Sequence, residues 1–330
     1  MSSAAPVLGL RMKGTLRLSS IIDDSRFSNL VDQVHAMESQ DTTFYKCSDY
    51  LARRANKKIP LTKEADDDDC PILVDEDIVD AVCREKMCEW SYRVCDHFGT
   101  GREVVAVSFS YLDRFMDRCN CDRTAFKLAA MTALYMATKI FNTKKITPRN
   151  LVQLSKGEFE ERHILEMEMI ILKTLSWRLH PPTIQCFIDA FCAALPISDS
   201  RVTTCVLQRA VFFGELALYD YNMAVTKEKA MVATACILNA IEGLEPECSP
   251  EERQSDFLGV LKTNFGIDFL HDELGTIRHR LWYVYSMSAQ YHEDEVASVQ
   301  ELPAESPMVK TSGHDRATPM DHSPVCVTST

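Results

Sequence analysis

The chain has 330 residues, 46% of them hydrophobic, with 25% charged and a net charge of −12. That length allows about two domains with sizeable cores and the composition is that of a soluble globular protein, so fibrous and low-complexity classes are excluded. The charge is uneven: between Arg84 and Pro182 16 Lys and Arg face 12 Asp and Glu, a net +4, which leaves −16 for the remainder. This middle segment suits an acidic partner surface but is too weakly basic for nucleic acid.

Residues 1 to about 40 show no sustained hydrophobic period, and the N-terminus "MSSAAPVLGLRMKG" has no apolar core of secretory length. A short amphipathic helix is expected in "FYKCSDYLARRANK", and the acid run "TKEADDDDCP" at 62–71 reads as a solvated loop. From Val74 the helical period runs almost unbroken to Tyr291. Cys83, Met87, Trp90, Val94 and Phe98 form one apolar stripe that "GTG" at 99–101 ends. Val105, Phe109, Leu112 and Met116 repeat the spacing in a second helix, ended by "DRCNCDR". The third, "FKLAAMTALYMATKIF", carries no charge between Lys127 and Lys139. A helix apolar all round is a buried one, and this one is too short to span a bilayer. A fourth short helix starts near Pro148, where proline suits a first turn, and a fifth, "FEERHILEMEMIILKTLSW", is closed by "HPP" at 180–182.

The pattern then repeats. Helices are expected over Ile184–Leu195, Val202–Leu218, Lys227–Ile241, Glu252–Thr263 and Glu273–Ser288, and "AMVATACILNA" at 230–240 echoes "AAMTALYMATK" at 129–139. The expected architecture is all-α, with two tandem five-helix domains at 74–182 and 183–291 between flexible flanks at 1–73 and 292–330. The tail is rich in Pro, Ser and Thr and too poor in large apolar residues to offset its ordering entropy. Its Ser306-Pro307, Thr318-Pro319 and Ser323-Pro324 pairs fit proline-directed phosphorylation, and chance in such a tail supplies them about as readily.

Of catalytic motifs, G-x-S-x-G, H-E-x-x-H and a Gly-rich phosphate loop are all absent from the sequence, which has only 11 glycines. Enzymatic activity is therefore not expected, and no cofactor is called for. The 13 cysteines contain no C-x-x-C pair and read as free thiols in a reducing compartment, nucleus or cytoplasm. Cys119 and Cys121 form a C-x-C without a matching His or Cys cluster, so no metal site is expected. No 18-residue apolar run occurs, so neither secretion nor membrane insertion is expected.

The informative residues are charges inside apolar helices. Arg84 opens the first helix beside Cys83, and Asp113 follows Leu112 on the second. Antiparallel packing across the short "GTGR" turn brings these ends together, and an Arg–Asp pair there would be bidentate, partly desolvated and orienting. The stretches "REKMCEW", "YLDRFMDR", "LYMATK" and "ILEMEMIILKTLSWRL" together resemble the cyclin box, without a gap from Arg84 to about Pro182. Arg84 precedes Trp90 by six, as the box arginine precedes its tryptophan, and Asp113 falls 29 further on at the Asp of the family's Y-I/L-D-R-F motif.

The resemblance implies a regulatory subunit that binds and activates a cyclin-dependent Ser/Thr protein kinase, and so a cell-cycle regulator. Lys139 and Glu168, also 29 apart, fall on the Lys and Glu with which cyclins grip backbone around the kinase's regulatory helix. On the residues alone, Lys139 is a cation at a helix C-terminus and Glu168 a solvated charge. Trp177 and Leu179 stand where cyclins carry an aromatic and a leucine that pack on that kinase helix, and Arg123 is a further position carried over. In the second repeat "ELALYDY" at 215–221 is similar to the family's E-L-S-L-I-D-Y element.

The sequence also departs from the family. Where many cyclins read M-R-A-I-L it has "CREKM", so the substrate-docking groove at Met87 and Trp90 is degenerate, with Glu85 and Lys86 replacing apolar residues. After Lys139 the usual acidic pair is missing, and no L-x-C-x-E motif lies near the start. Two other readings stay open: a cyclin of a transcriptional or nutrient-sensing kinase, and a transcription factor or adaptor built on the same fold.

Overall fold

The computed structural model describes residues 24–56, 78–141, 146–244 and 246–300. All regular structure among them is helical. Ten helices form two sets of five: α3 (Ala81–Phe98), α4 (Glu103–Arg118), α5 (Arg123–Phe141), α6 (Pro148–Leu154) and α7 (Glu161–Thr174), then α8 (Ile184–Ala193), α9 (Ser200–Tyr219), α10 (Lys229–Glu242), α11 (Pro250–Val260) and α12 (His271–Gln300). Two helices precede them, α1 (Asp24–Thr43) and α2 (Tyr50–Asn56). Both five-helix sets, with α12 as far as Met287, lie in one compact unit; of the second unit, Ser288–Thr330, residues 288–300 are described and are helical.

The boundaries follow local chemistry. Asp80 caps α3 by accepting from the Cys83 N–H at 2.8 Å, and Gly99 ends it at φ 60°, a left-handed conformation that glycine adopts without a Cβ penalty. Thr147 and Asn150 make a reciprocal capping box ahead of Pro148 at the start of α6. Thr183 and Asp199 cap α8 and α9 through their side-chain oxygens.

Each set closes around one helix buried on all sides. In α5 every residue from Ala129 to Thr138 is buried, and in α10 every residue from Ala230 to Ile241. These are the two segments whose sequences echo each other, and their alanines let the neighbouring helices approach closely. The cores are separate: Phe109, Tyr111, Leu134, Met136 and Ile171 belong to the first, Phe187, Phe191, Phe257 and Leu281 to the second.

Three boundaries differ from the sequence reading. Helix α1 occupies a region where no periodic element was expected, and its stripe of Phe27, Leu30, Val31, Val34 and Met37 packs into the second core, with Val34 fully buried. His35 Nε2 donates to the Phe265 carbonyl at 2.9 Å, and Lys229 pairs with Asp41. Helix α2 is shorter than the segment expected and joins the first core through Tyr50, so the described part of the flank, residues 24–56, stitches onto both cores. Arg54 of α2 donates to the Met116 and Cys119 carbonyls at 2.6 and 2.7 Å, which caps the C-terminus of α4. At the other end α12 continues to Gln300, beyond the expected limit of 291. The acid run at 62–71 and Ser306, Thr318 and Ser323 lie outside the described residues.

Candidate functional site

The Arg84–Asp113 pair lies at the junction of three helices. Arg84 Nε and Nη2 donate to the two Asp113 carboxylate oxygens, both at 2.8 Å, a bidentate geometry between α3 and α4. Its third nitrogen, Nη1, donates to the Leu218 carbonyl of α9 at 2.8 Å, so the same guanidinium ties the first helix set to the second. Tyr50 Oη donates to Asp113 Oδ1 at 3.0 Å, and the Arg84 guanidinium lies 4.9 Å from the Phe109 ring. Arg84 is fully buried. Burial pulls its pKa down, but the charge and hydrogen bonds of Asp113 outweigh that and hold it above the ordinary arginine value. Burial, followed by the Asp113 charge, pushes the Tyr50 phenol well up.

A second pair faces solvent. Lys139, in the last turn of α5, donates from Nζ to Glu168 Oε1 of α7 at 2.9 Å. The Lys139 side chain is 49% exposed, whereas that of Glu168 is 12% exposed, so the carboxylate is anchored and the ammonium is presented. The hydrogen bond to Glu168 holds the Lys139 ammonium above the usual lysine range. One Nζ–H is spent on Glu168; further donors on Lys139 and lone pairs on Glu168 remain for an incoming backbone.

Apolar side chains rim this pair. Ile140 and Phe141 follow Lys139 directly, and Leu165 sits one turn before both Glu168 and Met169; all four apolar residues are exposed. Exposed apolar patches of this kind mark protein-binding surfaces. The Phe141 ring also lies 5.2 Å from that of His180, tilted at 58°, which brings the turn after α7 towards the end of α5.

That turn is conformationally strained. Ser176 and Trp177 have φ 53° and 61°, left-handed values that cost of order 1–3 kcal/mol each for non-glycine residues. The turn points Trp177 outward, 62% exposed, and Leu179 inward, half-buried against the first core. Arg114 Nη2 donates to the Arg178 carbonyl at 2.9 Å and the Tyr111 hydroxyl donates to the Leu179 carbonyl. Arg114 is 2% exposed, and among the described residues its Nε and Nη1 have no hydrogen-bond partner. Burial, aided by the nearby Arg118 charge, pulls its pKa down to about 10.

The structure thus joins Lys139 to Glu168 and, through the contact of Phe141 with His180, sets the segment that carries the exposed Trp177 against the end of α5. Arg123 opens α5, 16 residues and about 24 Å of helix away from Lys139, and donates to the Ile78 carbonyl at 3.0 Å. Met87 and Trp90 are half-buried on α3 against the first core. Sequence reasoning passed over Arg114, whose position beside Asp113 was visible but whose burial was not, and the exposed Ile140, Phe141, Leu165 and Met169, which sit at polar positions of an amphipathic period. Among the described residues no group of three or more His, Cys, Asp or Glu is placed to hold a metal ion, and no helix is long and apolar enough to cross a membrane.

Paired five-helix sets, each wrapped around a buried central helix and braced by an interlocking Arg–Asp pair, define an all-α protein of the double-cyclin-fold class. Residues 49–180 match the family described as cyclin, N-terminal domain. G1/S-specific cyclin-D1 of Danio rerio is 27% identical over 179 residues, covering 53% of this chain and 61% of the relative. G2/mitotic-specific cyclin-A of Patella vulgata is 26% identical over 176 residues, covering 53% of this chain and 40% of the relative. Among solved structures, a viral cyclin from herpesvirus saimiri shares the fold with a TM-score of 0.53 at 21% identity, over 64% of this chain and 89% of that one. Residues 49–180 form a cyclin N-terminal domain, and the family match, the curated relatives and the shared fold together support the cyclin family for the chain. It spans less than two thirds of the length of either of the two curated relatives.

Proposed function

We propose that this chain is a non-catalytic regulatory subunit of a cyclin-dependent Ser/Thr protein kinase and that it controls progression through the cell cycle, in the nucleus, the cytoplasm or both. The observation that carries the reading is the Lys139–Glu168 pair, 2.9 Å apart and set among exposed apolar side chains beside Trp177. A buried acid with an exposed base offers acceptor and donor side by side, which suits the free backbone groups at a helix end.

The work is positional. A protein kinase needs its strand lysine paired with the glutamate of its regulatory helix. A surface that binds that helix only in its inward position shifts the kinase population toward the active state, by as much as the two positions differ in affinity. Ile140, Phe141, Leu165, Met169 and Trp177 supply apolar area, and Lys139 and Glu168 fix register. The Arg84–Asp113 pair brackets the scaffold behind this surface. Substrate docking at Met87 and Trp90 has no part in the reading, since Glu85 and Lys86 break up the apolar character of that groove.

The test is activation of a panel of purified catalytic subunits, cell-cycle and transcriptional kinases together, on a Ser-Pro peptide. Stimulation of a cell-cycle member is the expected result. No stimulation of any member overturns the proposal, and stimulation confined to transcriptional kinases overturns its cell-cycle part.

A further inference from the structure

Trp177 is presented by a turn that its own backbone disfavours. Ser176 and Trp177 hold consecutive left-handed conformations without glycine, and such a turn persists only if its surroundings over-determine it. The surroundings are identifiable. Arg118 donates to the Thr174 carbonyl on the approach to the turn, Arg114 to the Arg178 carbonyl at 2.9 Å, and Tyr111 to the Leu179 carbonyl beyond it. All three donors come from α4, the helix that carries Asp113.

The segment between α1 and α2 closes over the same place. The Phe44 ring lies 4.1 Å from the Arg178 guanidinium and the Tyr45 ring 4.8 Å from that of Arg114, so two adjacent aromatics cover two arginines on either side of one hydrogen bond. Arg114 is an expensive way to make that bond. It is buried, and among the described residues two of its nitrogens have no hydrogen-bond partner and its charge forms no ion pair. A core built for stability alone favours an apolar residue at such a position.

We infer that Arg114, covered by Tyr45, is a positioning residue that holds the 176–179 turn in the strained form presenting Trp177 to the kinase. The inference rests on the kinase-binding reading, and it assigns the N-terminal segment 44–45 a role in preparing that surface from behind. Pre-setting the turn in the free protein removes the cost of ordering it on binding, so the latch acts on affinity and activation rather than on folding. A merely structural Arg114 has the opposite signature: its loss lowers stability and leaves a folded chain fully able to bind.

The test compares full-length wild type with Arg114→Met, Arg114→Lys and Tyr111→Phe. Arg114→Met is expected to keep or raise Tm, to speed amide exchange at Trp177 and Arg178, and to weaken activation of the responsive kinase roughly tenfold or more. Arg114→Lys, which keeps a donor, is expected to restore part of the activation, and Tyr111→Phe to reproduce a milder loss with the fold intact. Unchanged amide exchange in Arg114→Met overturns the inference with or without a kinase present. Faster exchange with full activation overturns it as well, and a fall in Tm in Arg114→Met with binding retained marks a structural arginine and does the same. If Arg114→Met fails to fold, Tyr111→Phe decides by the same two readouts. Failure of the wild type to activate any kinase refutes the proposed function but leaves the exchange measurement able to decide the latch.

Discussion

Replacing Arg84 by Met removes a guanidinium that makes three hydrogen bonds and is fully buried. Methionine fills much of the volume, so the loss is electrostatic rather than a cavity. Asp113 is left with the Tyr50 hydroxyl as its remaining buried donor, and the Leu218 carbonyl loses the donor it has from Arg84. Stripping one member from a buried pair costs about 3–5 kcal/mol, against a typical total stability of about 5–15 kcal/mol. In urea, with m of about 3 kcal/mol/M, the unfolding midpoint should fall by about 1–1.7 M at unchanged m. Helical circular dichroism and tryptophan fluorescence must give coincident transitions for that reading. The double variant Arg84→Met/Asp113→Leu should regain most of the loss, because it leaves no buried charge without a partner. A cost below about 1 kcal/mol for the single variant, or a double variant as costly as the two singles together, refutes the account of the pair as a buried, mutually dependent brace.

Lys139→Ala/Glu168→Ala should change stability by less than about 1 kcal/mol, since the ammonium end of the pair is open to solvent and both charges are removed together, yet reduce kinase activation roughly tenfold or more; full activation by the folded double variant sinks the residue-level proposal. Cys121, whose thiol burial pushes up to about 11, should alkylate far more slowly at pH 8 than a free thiol and speed up about tenfold per pH unit towards 11, because only the thiolate attacks. Mass spectrometry after timed iodoacetamide labelling reads this, and rapid labelling at pH 8 contradicts it. Val34→Ala in α1 should cost roughly 1–3 kcal/mol in a thermal melt, and no loss would show that α1 does not contribute to the second core.

Much of the architecture was legible because α-helical periodicity survives in single segments. The stripe from Cys83 to Phe98 and the charge-free run in α5 identify an amphipathic and a buried helix without any tertiary information. The N-terminal part was not read so. Phe27, Leu30, Val31, Val34 and Met37 do stand at helical spacing, but the stripe is narrow among polar residues, and only the second core shows that it is buried. The separation of Arg123 from Lys139 along α5 was legible in the sequence, but its hydrogen bond to the Ile78 carbonyl, 45 residues away in the chain, was not.

The sequence by itself determined the helix periods, the tandem repeat, and the equal spacing of 29 that separates Arg84 from Asp113 and Lys139 from Glu168. Those properties depend on neighbours within one or two turns, or on motifs that a linear pattern preserves. Only the tertiary structure decided that Arg84 also holds the Leu218 carbonyl, that the N-terminal flank stitches onto both cores, and that Arg114 supports the turn presenting Trp177. Each of these joins groups far apart in the chain, and a sequence pattern carries no record of which buried charge will find which distant carbonyl.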